Sequence, residues 1–160
     1  MSDCSWQVDN HSIVIDAKVN ESIYIFKCTN TTIKINGKIN CISIDACKKL
    51  RLVCDTAVSY IEAVNSQSCD IRINEFTPTV NLDKCDGIDL HYSKQCCEGT
   101  SLNTSKANTV NINLPPETED GDEYEIAVPE QITTVVKDKK LYPKIYFHDT
   151  ANYLIPKVEL

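Results

Sequence analysis

Nine cysteines, three histidines and a few closely spaced charges are the groups in this chain with chemistry to offer. The cysteines do not fall into metal-ligand spacing: there is no C-x-x-C, and His11, His91 and His148 are far apart. Zinc sites normally show paired ligands in sequence, so neither a metal nor a cofactor is expected. A reactive thiol needs a base or cation that favours the thiolate. The cysteines here instead sit at the ends of apolar stretches, as in "CISIDACKKLRLV", which runs from Cys41 to Val53. Asp70 and Asp89 are two carboxylates in equivalent positions, but Arg51 stands in the same series, and charge pairing accounts for them without catalysis. No nucleophile–base pair emerges, and no catalytic residue is assigned.

The elements that position these groups repeat. Nineteen residues separate Ile23 from Ile42, Ile42 from Ile61, and Ile61 from Val80. The same step links Cys28, Cys47, Ser66 and Cys85, and again Ile33, Leu52, Ile71 and Leu90. The outer neighbours Ile35, Cys54, Ile73 and Tyr92 follow suit. Three extra residues enter around 95–100, after which Leu102, Ala107, Val110, Ile112 and Leu114 resume the pattern. Short β-prone runs at a period near 20 residues predict a solenoid, because one unit alone cannot bury its apolar edge. A sandwich or barrel also uses many short strands, but gives no reason for a fixed register. The expected fold is all-β: a parallel β-helix of about six coils, with each corner cysteine a small apolar filler. Alternation directs Lys34, Val53, Arg72 and His91 outward, with Thr32, Arg51, Asp70 and Asp89 in the next column. On the other strand Tyr24, Ser43, Glu62 and Asn81 point out.

The 42% hydrophobic content suits one sizeable core, and the net charge of −7 argues against a nucleic-acid partner. The first thirty residues hold no basic start followed by a long apolar run, and no stretch reaches membrane-span length, so a cytoplasmic protein with reduced thiols and no membrane insertion is expected. Asn10, Asn20, Asn30 and Asn103 lie in N-x-S/T sequons and read as turn residues in that setting. Pro115 and Pro116 close the repeats, giving a β-helix over 1–116. An acidic linker follows over 117–123, too irregular for a calcium loop. Residues 124–147 read as a terminal hairpin: "YEIAVPEQITTVV" and "KLYPKIYF" form its strands, joined at 137–140, and 148–160 is a tail.

"SIYIFKCTNTTIKINGKINCISIDACKKL", "KCDGIDLHYSK", "TSKANTVNINLP" and "AVPEQITTVVKDKKL" occur in this order. Together they resemble the C-terminal domain of cyclase-associated protein, over about residues 6 to 146. The resemblance implies a right-handed parallel β-helix that binds actin monomers, prefers the ADP-bound form and speeds exchange to ATP. It further implies a homodimer made by exchange of terminal hairpins, which would cover an open strand edge. Matched to the family pattern, Lys34, Lys38, Lys48, Lys49, Arg72 and Lys94 become candidate actin contacts. Val128, Pro129, Glu130, Gln131, Thr134, Val135 and Leu141 become candidate dimer residues. The helical domain, proline-rich linker and short actin-binding motif of longer members are missing, so a cyclase connection is not carried over. The tail "FHDTANYLIPKVEL" runs further than the family's.

Two other classes compete. A related β-helix family, tubulin-folding cofactor C, uses an outward arginine in a Gln-x-Arg setting on a GTPase. Arg51 occupies a similar place in "CKKLRLV", but with Lys49 where the glutamine would be. Many β-helices cleave polysaccharides, but those usually cluster carboxylates in a groove.

Overall fold

Ile42 pairs with Ile23 on one side and Ile61 on the other, and Ile61 pairs with Val80, which pairs with Leu102. The predicted ladder is therefore present, rung for rung. In the computed structural model, which describes residues 12–118 and 121–145, the strands are parallel and wound into a β-helix. They are β1 (Ser12–Asp16), β2 (Ser22–Phe26), β3 (Thr32–Asp45), β4 (Arg51–Val64), β5 (Gln67–Phe76), β6 (Thr79–Asp83), β7 (Asp86–His91), β8 (Ser101–Ser105) and β9 (Asn108–Leu114).

Two walls and a short third side make each coil. The leading wall contains β2, the second halves of β3 and β4, then β6 and β8. The trailing wall contains β1, the first halves of β3 and β4, then β5, β7 and β9. Among the described residues, five rungs on the first and six on the second amount to about five turns, close to the six or so coils the repeats suggest. The core is the inside of the coil. Ile35, Ile39, Ile42, Leu52, Ile61, Ile71, Ile88 and Leu90 are fully buried. Each such side chain stabilises the fold by roughly 1.5–3 kcal/mol.

The corners between leading and trailing walls need two left-handed residues per coil. Lys27, Ala46, Asn65, Lys84 and Lys106 fill the first position at φ of 50–53°. Asn30, Lys49, Ser68, Gly87 and Thr109 fill the second. Asn30 thus has the turn role expected of it; Asn103 does not, since it lies within β8. The corner cysteines are more than filler. The Cys28 N–H donates to Cys47 Sγ at 3.4 Å, and the Cys47 thiol donates to the Asp45 carbonyl at 3.4 Å. The Cys85 thiol donates to the Ala63 carbonyl at 3.3 Å. A small side chain with a polar atom satisfies main-chain groups that the corner would otherwise bury unpaired.

The extra residues before Leu102 form a single helical turn, α1 (Lys94–Gly99), capped by Ser93, whose Oγ accepts from the Cys96 N–H at 3.1 Å. After Leu114 the chain doubles back. β10 (Tyr124–Ala127) pairs antiparallel with β9 and covers the end of the trailing wall. The stretch expected as one strand through Val136 is thus two. β10 pairs within the first unit, Met1–Val128, and the second unit begins at Pro129. A proline cannot supply the next ladder N–H. In the second unit, β11 (Ile132–Lys137) and β12 (Lys140–Ile145) make the expected hairpin. Its turn residues Asp138 and Lys139 are both left-handed, the geometry a two-residue hairpin requires. The expected tail over 148–160 lies outside the described residues.

Candidate functional site: a lysine ridge beside a charged wall

The corner positions repeat in space as they do in sequence. Residues 27–30, 46–49, 65–68, 84–87 and 106–109 stack along one edge and carry Lys27, Lys48, Lys49, Lys84 and Lys106 against a single acid, Asp86. All five lysines are exposed. Among the described residues none of them has a carboxylate within 4.0 Å. The Lys27 ammonium lies 4.9 Å from the Phe26 ring centroid, and that ring stacks on Tyr24. A chain of net charge −7 has therefore collected a local positive excess on one ridge. Lys48 and Lys49 were legible as candidates; Lys27, Lys84 and Lys106 were missed. The signal was available in the 19-residue step, since Lys27, Lys84 and Lys106 share one column.

Lys34 and Arg72 lie on the trailing wall, in one outward column. Val14, Lys34, Val53, Arg72 and His91 are successive rungs. Lys34 is exposed, whereas Arg72 is half-buried and engaged. Its Nη1 is 2.9 Å from Glu123 Oε1, and its Nη2 is 2.9 Å from His91 Nδ1. His91 Nδ1 is also 2.9 Å from Glu123 Oε2, and His91 Nε2 is 3.5 Å from Asp70 Oδ1. One ring nitrogen cannot both donate to a carboxylate and accept from a guanidinium, so the tautomer selects between the two. Hydrogen bonding from Arg72, aided by His91, holds the Glu123 carboxyl below its usual range against the opposing effect of partial burial.

The remaining candidates lie elsewhere. Lys38 follows the left-handed Gly37 and pairs with Thr56 on the third side. A Cβ on Gly37 would sit 3.2 Å from the Ala17 carbonyl oxygen. Lys94 opens α1. The structure therefore groups Lys48 with Lys49, and Lys34 with Arg72, but does not gather all six into one patch.

Arg51 pairs with Asp70 at 3.6 Å, the cross-strand contact expected of it. Asp89 accepts from Asn111 at 3.2 Å. Both carboxylates are thus committed to neighbours. Burial pushes the Cys47 and Cys54 thiols up to about 12, which leaves them protonated and unreactive. Among the described residues no group of three or more His, Cys, Asp or Glu side chains is placed to hold a metal ion. Among the same residues no helix is long and apolar enough to cross a membrane.

The hairpin carries the dimer candidates Thr134, Val135 and Leu141. Ile132, Thr134 and Val136 pair with Ile145, Pro143 and Leu141 and share one face. Ile132, Val136, Leu141 and Ile145 are 58–69% exposed. Thr134 and Leu141 belong to this apolar face, while Val135 points to the other one with Tyr142. Val128 instead packs against the β-helix core, its N–H bonded to the Val110 carbonyl at 2.8 Å. Pro129, Glu130 and Gln131 follow it in the connection between β10 and β11.

Known proteins locate this arrangement. The family model described as the C-terminal region of adenylate cyclase associated (CAP) protein matches residues 2–148. Adenylyl cyclase-associated protein of Dictyostelium discoideum is 37% identical over 144 residues, 89% of this chain and 31% of that protein. Human adenylyl cyclase-associated protein 1 is 36% identical, covering 85% of this chain and 29% of that protein. The chain thus spans under a third of the length of these relatives. The crystal structure of cyclase-associated protein from Cryptosporidium parvum superposes with a TM-score of 0.78 at 26% identity, covering 84% of this chain and 83% of that one. No comparison supports the tubulin-cofactor reading of Arg51. The repeats, the β-helix and the terminal hairpin converge with these matches, and the chain belongs to the family of the C-terminal domain of adenylate cyclase-associated proteins.

Proposed function

We propose that this domain binds actin monomers, prefers their ADP-bound form and promotes exchange to ATP, acting as a cytoplasmic, cytoskeleton-associated, non-catalytic regulator of filament turnover. Family membership supplies the framework. The observation that carries the reading is the row of lysines along one β-helix edge, none with a carboxylate within 4.0 Å among the described residues, a surface suited to an acidic protein partner. Lys48 and Lys49 are its proposed centre, with Lys34 and Arg72 on the adjoining wall. Lys38 and Lys94 are peripheral contacts.

Exchange requires no bond chemistry from the domain. A partner that binds the open, nucleotide-poor state of actin about 2.7 kcal/mol more tightly than the closed state raises the open population roughly a hundredfold. Dimerisation completes the proposal. An isolated two-stranded hairpin is marginally stable in water, and an apolar face as exposed as that of β11–β12 favours a second copy as its cover. Among the described residues β8 pairs only with β6, which leaves a strand edge available to a partner's hairpin.

The test follows release of a fluorescent nucleotide from ADP-actin as the domain is added. Acceleration that saturates supports the proposal. Binding without acceleration reduces the function to monomer sequestration, and no binding removes actin as the partner.

A further inference from the structure

The acidic segment that follows the last coil does more than connect. Gly121 N–H bonds to the Thr118 carbonyl at 3.0 Å, and β10 then locks onto β9. Between these two points Glu123 reaches back over the trailing wall to Arg72 and His91, on the two rungs that precede β9. Arg72 is 51 residues away in sequence, and among the described residues it is the one candidate contact whose charge is already matched. Arg72 and His91 stand on successive rungs of one outward column, a donor array fit to grip a carboxylate, while Arg51 in the next column is held by Asp70.

We propose that this array is a recognition site for acidic side chains of a protein partner, and that Glu123 is its built-in occupant, which the partner must displace. The inference rests on the functional reading above, because it takes the actin monomer as the acidic partner. The contact is of a kind suited to the task. The carboxylate and guanidinium are both partly solvated, with side-chain exposures of 36% and 43%. Exposed pairs of this type are weak enough to open readily. Removing the occupant therefore strengthens partner binding, and removing the array weakens it.

The experiment measures affinity for ADP-actin monomers in the wild type, Glu123→Gln, Arg72→Ala and the double variant. Glu117→Gln serves as a control with the same change in net charge. Glu123→Gln is expected to bind about twofold to fivefold more tightly. Arg72→Ala binds more weakly, the double variant matches Arg72→Ala, and Glu117→Gln stays at the wild-type value. If Glu123→Gln binds no better than wild type while wild type does bind, Glu123 is an anchor only and the inference falls. An equal gain from Glu117→Gln also overturns it, because net charge alone would then explain the effect. A complex seen only with Glu123→Gln supports masking in full. Its absence from wild type and variant alike sinks both the inference and the actin reading.

Discussion

Ser66 Oγ accepts a hydrogen bond from the Cys47 N–H at 3.1 Å and donates one to the Val64 carbonyl at 2.9 Å. The serine stands where the neighbouring coils have cysteine, and the hydroxyl performs the thiol's role with shorter bonds. Ser66→Ala keeps the volume and removes both bonds, leaving the buried Cys47 N–H without its partner. The expected cost is about 1–3 kcal/mol, read as a lower denaturant midpoint in urea. Ser66→Cys restores the neighbours' pattern and is expected to recover at least half of that loss.

Gly37 adopts φ +85°, and its N–H donates to Asp55 Oδ2 at 2.7 Å, while Asp55 Oδ1 accepts from Asn74. Gly37→Ala must hold an L-residue in that conformation with its Cβ against the Ala17 carbonyl. A loss of about 1–2 kcal/mol is expected by chemical denaturation. Asp55→Asn at the same corner tests whether the anchor, and not the strain, sets the loop. Its carboxyl is held below the usual range by the Asn74 and Gly37 hydrogen bonds.

Paired substitution Lys48→Ala with Lys49→Ala removes two ammonium groups from the ridge without touching the core. Affinity for ADP-actin is expected to fall roughly threefold to tenfold, with a shallower dependence on salt. Unchanged affinity and salt response would place the actin contact elsewhere.

The apolar hairpin face gives a separate prediction. Val136→Asp with Leu141→Asp is expected to shift a dimer to monomer in sedimentation velocity, with the β-helix circular dichroism retained. Weakening by about a hundredfold is the scale for two buried charges. A dimer that survives both substitutions does not use this face.

Acid provides a further probe. The Glu123 carboxyl is held below its ordinary range, first by hydrogen bonding from Arg72 and then by His91. Its contact therefore stabilises the strand after it above the ordinary carboxylate pKa of about 4.3, and is lost as pH falls through the depressed value. Hydrogen-exchange protection of Tyr124–Ala127 is expected to drop across that window in the wild type. In Glu123→Gln this step is absent.

How far the sequence could be read depended on what each position has to do. The Ile23–Ile42–Ile61–Val80 register was legible because burial on every rung demands the same kind of side chain. Asn30, Asn65 and Gly87 announced three of the left-handed corner positions, but the rest were hidden because lysine, alanine, serine and threonine fill them. Helix α1 spans six residues, too few for periodicity to show. The break between β10 and β11 was lost inside a continuous β-prone run, although Pro129 marked it. The Glu123–Arg72 pair had no signature at all: two charges 51 residues apart belong to no repeat. Lys48 and Lys49 were found by pattern, whereas the full ridge emerged only when the corners were stacked.

The ridge has a property that an ordinary basic patch lacks. Main-chain hydrogen bonds between neighbouring strands space its positions by about 4.8 Å per coil, so its charges are graduated along an axis like marks on a ruler. Lys84 and Lys106 are one graduation apart, and Lys27 lies three below Lys84. Inserting one whole coil would carry the upper charges outward by a single division. A partner on this edge is selected by distances along a line, and evolution can recalibrate those distances one coil at a time.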